Sequence, residues 1–425
     1  MTSSTEAPRR PTADPTVMAL TVYTTVVAAL STRVLLMPDE SGDYLTFLDP
    51  WYRHIASQGG FRALAEPGFS DYNVPYLYVL SALTYLPLPA LTGIKCVSIL
   101  FDLVLAYYTF RIVSRLRPTP SWAALGAAAV VLFLPTVVTN SGWWGQCDSI
   151  YAAFLAGGIH HVLRRRSWWA CAFFGIALAV KFQAVFLFPF LLVLVLVGRV
   201  PWRCLLAVPG AYLALDVPAL LLGADPWPLL TVYARQTDTY KLLSLQAPSL
   251  YEFVSVPGET DGVRTAGVLV AAAIVSLLTG LAVWFLRRGR TGAPDCGPGV
   301  PGLTDTRIVL LAACSAVVVP FLLPSMHERY FYVADVLTVI TAFALPRRLW
   351  YVPVLVQLAS FGSYLKCVSA SLAPYLSMPA HSALMLLALL SLLRTTAGEL
   401  RRGPQAPAVP GRRAADGNTA EPART

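Results

Sequence analysis

The sequence predicts an all-α, polytopic integral membrane protein, and three observations carry that prediction. Of 425 residues, 56% are hydrophobic and 13% charged, about half the charge of a soluble domain, where roughly 25% is usual; mean hydropathy is +0.60. Apolar runs approaching the ~20 residues that cross a bilayer recur along the chain. Arginines fall in every second gap between those runs.

The apolar run at 17–37 is too long for the h-region of a signal peptide and reads as the first span. Further runs lie near 96–116, 121–139, 148–163, 167–180, 182–198, 203–222, 264–286, 306–323, 330–346, 349–366 and 378–394, giving about 12 spanning helices. Segment 74–92 stands apart. Pro75, Pro87 and Pro89 confine an unbroken helix there to about a dozen residues, or roughly 18 Å, against a bilayer core of about 30 Å. It reads as a short partial or re-entrant helix, with a full tilted span as the alternative. The arginine-bearing gaps hold Arg115 and Arg117, Arg164 to Arg166, Arg199 and Arg203, Arg287, Arg288 and Arg290, and Arg347 and Arg348. By the positive-inside rule these gaps and both termini are cytoplasmic. The net charge of +9 is therefore a topology signal, and no nucleic-acid partner is expected.

Residues 1–16 and 396–425 are rich in Pro, Ala and Arg and read as disordered cytoplasmic tails, leaving 17–395 as one transmembrane domain. The seven cysteines are scattered, and CxxC, HExxH and DxD are absent, so neither a disulfide framework, a metal site nor a cofactor is expected. His160 and His161, beside Arg164, read as interfacial residues.

The unusual polar stretches gather on the outer side: 38–73, "SGWWGQCDSIY" at 141–151, "VKFQ" at 180–183, the loop 223–262 and "PSMHERYFY" at 324–332. Polar groups concentrated on one face of a membrane protein point to a site there. Asp39, Glu40, Asp43 and Asp49 crowd into eleven residues directly after the first span. Loop 223–262 mixes Tyr233, Tyr240 and Tyr251 with Arg235 and Lys241, which suits either a lid or an interfacial helix. Asp102 and Asp335 lie inside expected spans, where each requires a buried partner.

"SGDYLTFLDPWYRHI", "FSDYNVPYLYVLS", "GWWGQCDSIYAAF", "ALAVKFQAVFLFP" and "MHERYFY" occur in this order over roughly 15–395. Together they resemble the GT-C glycosyltransferases, membrane enzymes that use polyprenyl-phosphate sugars. The similarity is strongest to bacterial proteins related to the mannosyltransferase that adds the second mannose of GPI anchors. The glucosyltransferases that extend dolichol-linked oligosaccharide are similar too, but "DYNVP" and "HERY" depart from their pattern. The resemblance implies a GT-C-like fold and transfer of a hexose, mannose first, from a polyprenyl-phosphate sugar to a glycan, lipid or protein acceptor. It also implies direct inverting displacement, in a bacterial plasma membrane with the active site extracytoplasmic.

The acceptor hydroxyl must lose its proton as it attacks, and a positioned carboxylate suits that task. The resemblance places this base in a "GDY" context, which is Asp43 here, with Asp49 and Asp39 next in line. The departing lipid phosphate needs cations where charge develops: Arg329, with His327 beside it, and Lys181, a lone lysine in an apolar stretch. Asp49, Asp71, Tyr72, Trp144, Gln146 and Asp148 complete the expected substrate-binding set, Asp148 doubling as a favourable charge at a helix N-terminus. The rival class is a transporter or lipid flippase of the envelope. Such proteins show internal repeats and polar groups along a central path, neither of which is visible here.

Overall fold

The structure, a computed structural model, describes residues 14–117, 122–239, 242–254, 260–288 and 302–402. The connector 289–301, Tyr240, Lys241 and most of both tails lie outside these residues. Within them the chain is helical, with one two-residue parallel ladder between β1 (Ser244–Leu245) and β2 (Met326–His327).

Each helix begins or breaks where the sequence supplies the chemistry. Asp14 caps α1 (Pro15–Leu36) by accepting from Thr16 N–H at 2.8 Å, and Pro15 sits where no N–H is needed. A wide helical turn (Tyr44–Leu48) leads into α2 (Asp49–Ser57). Asn73 caps α3 (Val74–Leu83), which has 10 residues, so the short helix expected between the prolines is present. The long α4 (Ala90–Leu116) follows. Next come α5 (Trp122–Phe133) and α6 (Pro135–Val138), the latter running on as a wide turn through Trp144. The pair is bent by 51°, because Pro135 has no N–H to continue the ladder. The break leaves the Leu132 carbonyl and the Thr136 N–H without their helical partners. Arg33 Nη2 takes the first at 3.0 Å, and Gln357 Oε1 takes the second at 3.5 Å.

Then come α7 (Asp148–Leu163) and α8 (Ser167–Val180), which stops where Lys181 turns extended. Beyond them lie α9 (Phe188–Leu196), α10 (Ala207–Leu221), and the short helices α11 (Pro226–Leu230) and α12 (Val232–Thr239). The remainder is α13 (Asp261–Arg288), α14 (Asp305–Leu322), α15 (Tyr332–Ala344), α16 (Pro346–Leu349), α17 (Val352–Val368) and α18 (Met378–Arg401). The helix α18 runs six residues past 395, where the sequence reading began the C-terminal tail. The main packing pairs are α7 with α8 and α4, α8 with α10, α4 with α5, and α17 with α18.

Six of these helical segments are long and apolar enough to cross a bilayer, or seven if the bent α5–α6 pair is one span; five shorter apolar helices accompany them. Length therefore accounts for fewer spans than the twelve apolar runs suggested. The run at 121–139 is bent at Pro135, and others form helices too short to span alone, such as α8 with 14 residues, ending where Lys181 turns extended, and α15 with 13, ending at Leu345.

Two buried acids inside the bundle find different partners, one a cation and one a hydroxyl. Arg33 on α1 holds Asp102 on α4 at 2.7 Å, both side chains at most 1% exposed. Ser141 Oγ donates to the same carboxylate at 2.5 Å and Tyr332 at 3.4 Å. Asp335 on α15 accepts from Ser360 on α17 at 3.1 Å. These are the partners that sequence could not name. His160 and His161 pack among rings, His160 against Tyr108 and His161 against Phe173 and Trp169.

Candidate active site

Segments from separate parts of the chain converge on one cavity of about 90 Å³, lined by Asp43, Asp71, Tyr72, Gln146, Lys181, His327 and Arg329 together with apolar Phe47, Leu48 and Trp51.

The loop after α1 is pinned before it reaches Asp43. The Lys95 ammonium, reaching from α4, spends three donors on the carbonyls of Leu36, Met37 and Asp39 at 3.0, 3.1 and 2.5 Å. These are carbonyls at the end of α1, where a cation is favoured. Ser41 then donates to the Trp144 carbonyl at 2.9 Å and accepts from Tyr44 N–H at 3.1 Å, stitching this loop to the "GWWGQ" segment. That segment turns at Gly145, whose φ of 72° is left-handed and where a Cβ would sit 3.4 Å from Lys95 Cγ. The turn aims Gln146 at Asp43: Gln146 Nε2 donates to Asp43 Oδ2 at 2.6 Å and its Oε1 accepts from Tyr72 at 3.4 Å.

Lys181 is available because α8 ends one residue before it. The Leu178 and Ala179 carbonyls freed at that end are taken by Tyr233 at 2.5 and 3.2 Å, and Ala179 also by Asn73 at 3.3 Å. The ammonium reaches Asp148 Oδ1 at 2.5 Å and lies 5.7 and 5.9 Å from the rings of Tyr72 and Tyr151. Asn140 donates to the other oxygen of Asp148 at 2.8 Å. Asp148 is therefore more than a helix-terminal charge.

Arg329 is the hub. Its Nη1 lies 2.7 Å from Glu328 and 3.0 Å from Asp43, its Nε lies 4.0 Å from Asp148, and its plane lies 5.6 Å from the Trp144 ring. Nε has no hydrogen-bond partner among the described residues. Burial works to raise the Glu328 carboxyl, but Arg329 and the His327 hydrogen bond outweigh it and hold it down at about 2. Burial works against the charge of Arg329, and Glu328 and Asp43 more than offset it, so the guanidinium sits well above its ordinary value. The His327 ring, 3.6 Å from Glu328, lies on the β1–β2 ladder. The loop 223–262 thereby reaches the site, and Gln236 of α12 donates to the Asp71 carbonyl at the rim.

Three carboxylates, Asp43, Asp148 and Glu328, thus face two cations, Arg329 and Lys181. Among the described residues no three His, Cys, Asp or Glu side chains are grouped to hold a metal ion. Of the residues expected from sequence, Asp43, Asp71, Tyr72, Gln146, Lys181, His327 and Arg329 line the cavity, while Trp144 and Asp148 back it through Arg329 and Lys181. Asp49 is not brought in: its carboxylate pairs with the exposed Arg53 at 2.8 Å and accepts from Tyr44 at 3.4 Å. Six helical steps of roughly 100° leave positions 43 and 49 about 120° apart, so the two carboxylates leave this stretch on different sides. Sequence reasoning missed Glu328, only 4% exposed, along with Gln183, Gln236 and Tyr330. Glu328 carried a signal, adjacency to Arg329 in "HERY"; Gln236 carried none, since only the fold brings α12 to the rim.

A helical membrane domain that buries a compact set of acids, cations and aromatic rings at one end defines a membrane-embedded enzyme of polar substrates. The chain belongs to glycosyltransferase family 87, whose family model matches residues 69–296, just over half of it. It is a glycosyltransferase of the GT-C type. The match covers Asp71, Tyr72, Trp144, Gln146, Asp148 and Lys181; Asp43, His327 and Arg329 lie outside it. No curated protein matches the chain.

Proposed function

We propose that this protein transfers a hexose, mannose first among candidates, from a polyprenyl-phosphate sugar to an extracytoplasmic acceptor hydroxyl on a glycan, lipid or protein. It would do so in a bacterial plasma membrane, with about twelve helical segments serving as spans. The observation that supports this best is the meeting of Asp43 and Arg329 at 3.0 Å, a base and an anion receptor within one cavity. A transporter or flippase is not favoured by the family.

In the mechanism this supports, Asp43 accepts the acceptor's hydroxyl proton while the oxygen attacks the anomeric carbon from the face opposite the phosphate. The new C–O bond forms as the bond from that carbon to the phosphate oxygen breaks, with inversion. Polyprenyl phosphate leaves with one more negative charge than the donor carried. Arg329 and Lys181 stabilise that developing charge, which is the interaction that has to strengthen in the transition state. The unpartnered Nε of Arg329 gives the phosphate a donor to meet, and Arg can do so with two parallel bonds. Until then Arg329 and Gln146 hold Asp43. A phosphate arriving on Arg329 competes with Asp43 for the guanidinium and frees the carboxylate for the proton. The cavity of about 90 Å³ lies well below the roughly 300–1,000 Å³ of ligand pockets, so binding requires this ion pair to part and the first outer loop to shift.

The test is incubation of the purified protein in lipid nanodiscs with radiolabelled polyprenyl-phosphate mannose and envelope lipids. Label moving to a new product whose anomeric configuration is inverted is the expected result. Absence of transfer from the mannose donor, with transfer from the glucose analogue, would correct the sugar; absence with both would overturn the donor class.

A further inference from the structure

A second cavity, of about 720 Å³, lies between α5, α15, α16 and α17 and shares no residue with the charged pocket. Its size falls within the roughly 300–1,000 Å³ of ligand pockets. The 51° bend at Pro135 swings α6 out of line with α5, and the crevice lies along α5 up to Leu134. Its walls are apolar apart from Arg117 and Gln357, and Gln357 is committed to Thr136, donating to its hydroxyl at 2.9 Å. Val130, Val354 and Leu358 are 42%, 51% and 55% exposed, so the crevice opens sideways, toward the bilayer.

One end of this crevice is built differently from the rest. Arg117 ends α4, and its Nε donates to the Phe343 carbonyl at 3.1 Å. Its two terminal amino groups have no carboxylate partner among the described residues, and neither has the exposed Arg347 on α16, which follows the crevice-lining Pro346 without lining the crevice itself. Nearby basic residues are neutralised: Arg115 by Asp305 at 2.7 Å and Arg348 by Glu399 at 2.6 Å. Trp122 and Trp350, 38% and 66% exposed, stand at the same end, as tryptophans do at headgroup level. This end is also remote from the charged pocket. The loop bearing Arg329 enters α15 at Tyr332, and the arginine end lies past its last residue, Ala344, about 20 Å away along 13 residues of helix.

We propose that this crevice is a binding site for an anionic phospholipid of the opposite leaflet from the charged pocket, its acyl chain along α5, α15 and α17 and its phosphate on Arg117 and Arg347. The apolar walls accept any chain; the two arginines without acidic partners select the charge of the headgroup. A basic pocket between membrane helices at the arginine-rich side is the chemistry that recognises such lipids. The inference is independent of the donor and acceptor proposed above.

Full-length protein in detergent is titrated with dioleoyl phosphatidylglycerol and, separately, dioleoyl phosphatidylcholine, and bound lipid is counted by native mass spectrometry. The wild type is expected to hold phosphatidylglycerol more tightly. At about 1 kcal/mol per arginine near a charged lipid, each arginine is worth roughly fivefold, so Arg117→Gln with Arg347→Gln should erase a preference of tenfold or more. Ala342→Trp, which fills the crevice, should weaken both lipids. Equal binding of the two lipids by the wild type overturns the proposal without recourse to any variant. So does a headgroup preference that survives in the folded double variant.

Discussion

Asp43→Asn separates the two duties proposed for this residue. The carboxylate accepts from Gln146 at 2.6 Å and pairs with Arg329 at 3.0 Å through the same oxygen. Asparagine keeps the size and an acceptor oxygen, so the loop pinned by Lys95 and Ser41 should hold its place. As a base, Asp43 is worth about 10²–10⁴-fold, and kcat should fall by that order. As a partner of Arg329, it competes with the incoming phosphate. A hydrogen bond to a charged group contributes about 1.5–3 kcal/mol, but Asn retains part of it and Glu328 keeps its hold at 2.7 Å. Donor affinity should therefore rise, by at most about tenfold, since 1.4 kcal/mol corresponds to a factor of ten. The assay is steady-state transfer at varied donor concentration, with direct donor binding in nanodiscs at matched expression and melting temperature. The signature is a pair of opposite signs, slower turnover with tighter donor. Asp49→Asn serves as the control, with less than threefold change expected, because its pair with Arg53 is an exposed one worth about 0–1 kcal/mol. Wild-type turnover in Asp43→Asn, or weaker donor binding with normal turnover, would refute the assignment.

Other outcomes follow from the same geometry. Arg329→Ala should abolish transfer and Arg329→Lys recover only part of it, because one ammonium cannot span Glu328, Asp43 and a phosphate as a planar fork does; full activity in the folded alanine variant would make Arg329 structural. Asp102→Ala should cost about 3–5 kcal/mol by stranding Arg33 in the bundle, whereas Arg33→Leu with Asp102→Leu should lie much closer to wild type, as read by reversible unfolding in mixed micelles. Because Glu328 is held down at about 2 against an ordinary 4.5, its contribution is complete above pH 4.5 and lost as pH falls through 2; it amounts to about 3 kcal/mol, and Glu328→Gln should flatten the stability–pH curve over that interval alone. Cysteines at Glu40 and Arg347, both exposed, should react oppositely with impermeant maleimide on intact cells, Glu40→Cys labelling and Arg347→Cys not; the reverse would invert the orientation.

The sequence by itself determined the class. Low charge and recurrent apolar runs leave a chain no alternative to a bilayer, and short motifs in order named most of the polar groups that meet at the cavity. Local signals also sufficed for Asn73 and Pro75, which start a helix of 10 residues where the prolines allowed about a dozen. What composition cannot show is where an apolar run stops being one helix. Pro135 bends a run whose hydropathy is unbroken, and by length and composition six or seven helical segments can cross a bilayer while α7, α8, α15 and α17 are shorter. Tertiary structure alone decided which of the crowded acids faces the site. Asp43 meets Arg329 and Asp49 meets Arg53, a choice between neighbouring acids that rests on where the two arginines sit in the fold. It also decided the partners of the buried charges. Arg33 and Asp102 are 69 positions apart, and they meet because the bend at Pro135 frees a carbonyl that needs a donor and because a charge inside a bilayer persists only when paired. Such pairing is a property of the packed bundle, set by which helices touch, and no local pattern along the chain encodes it.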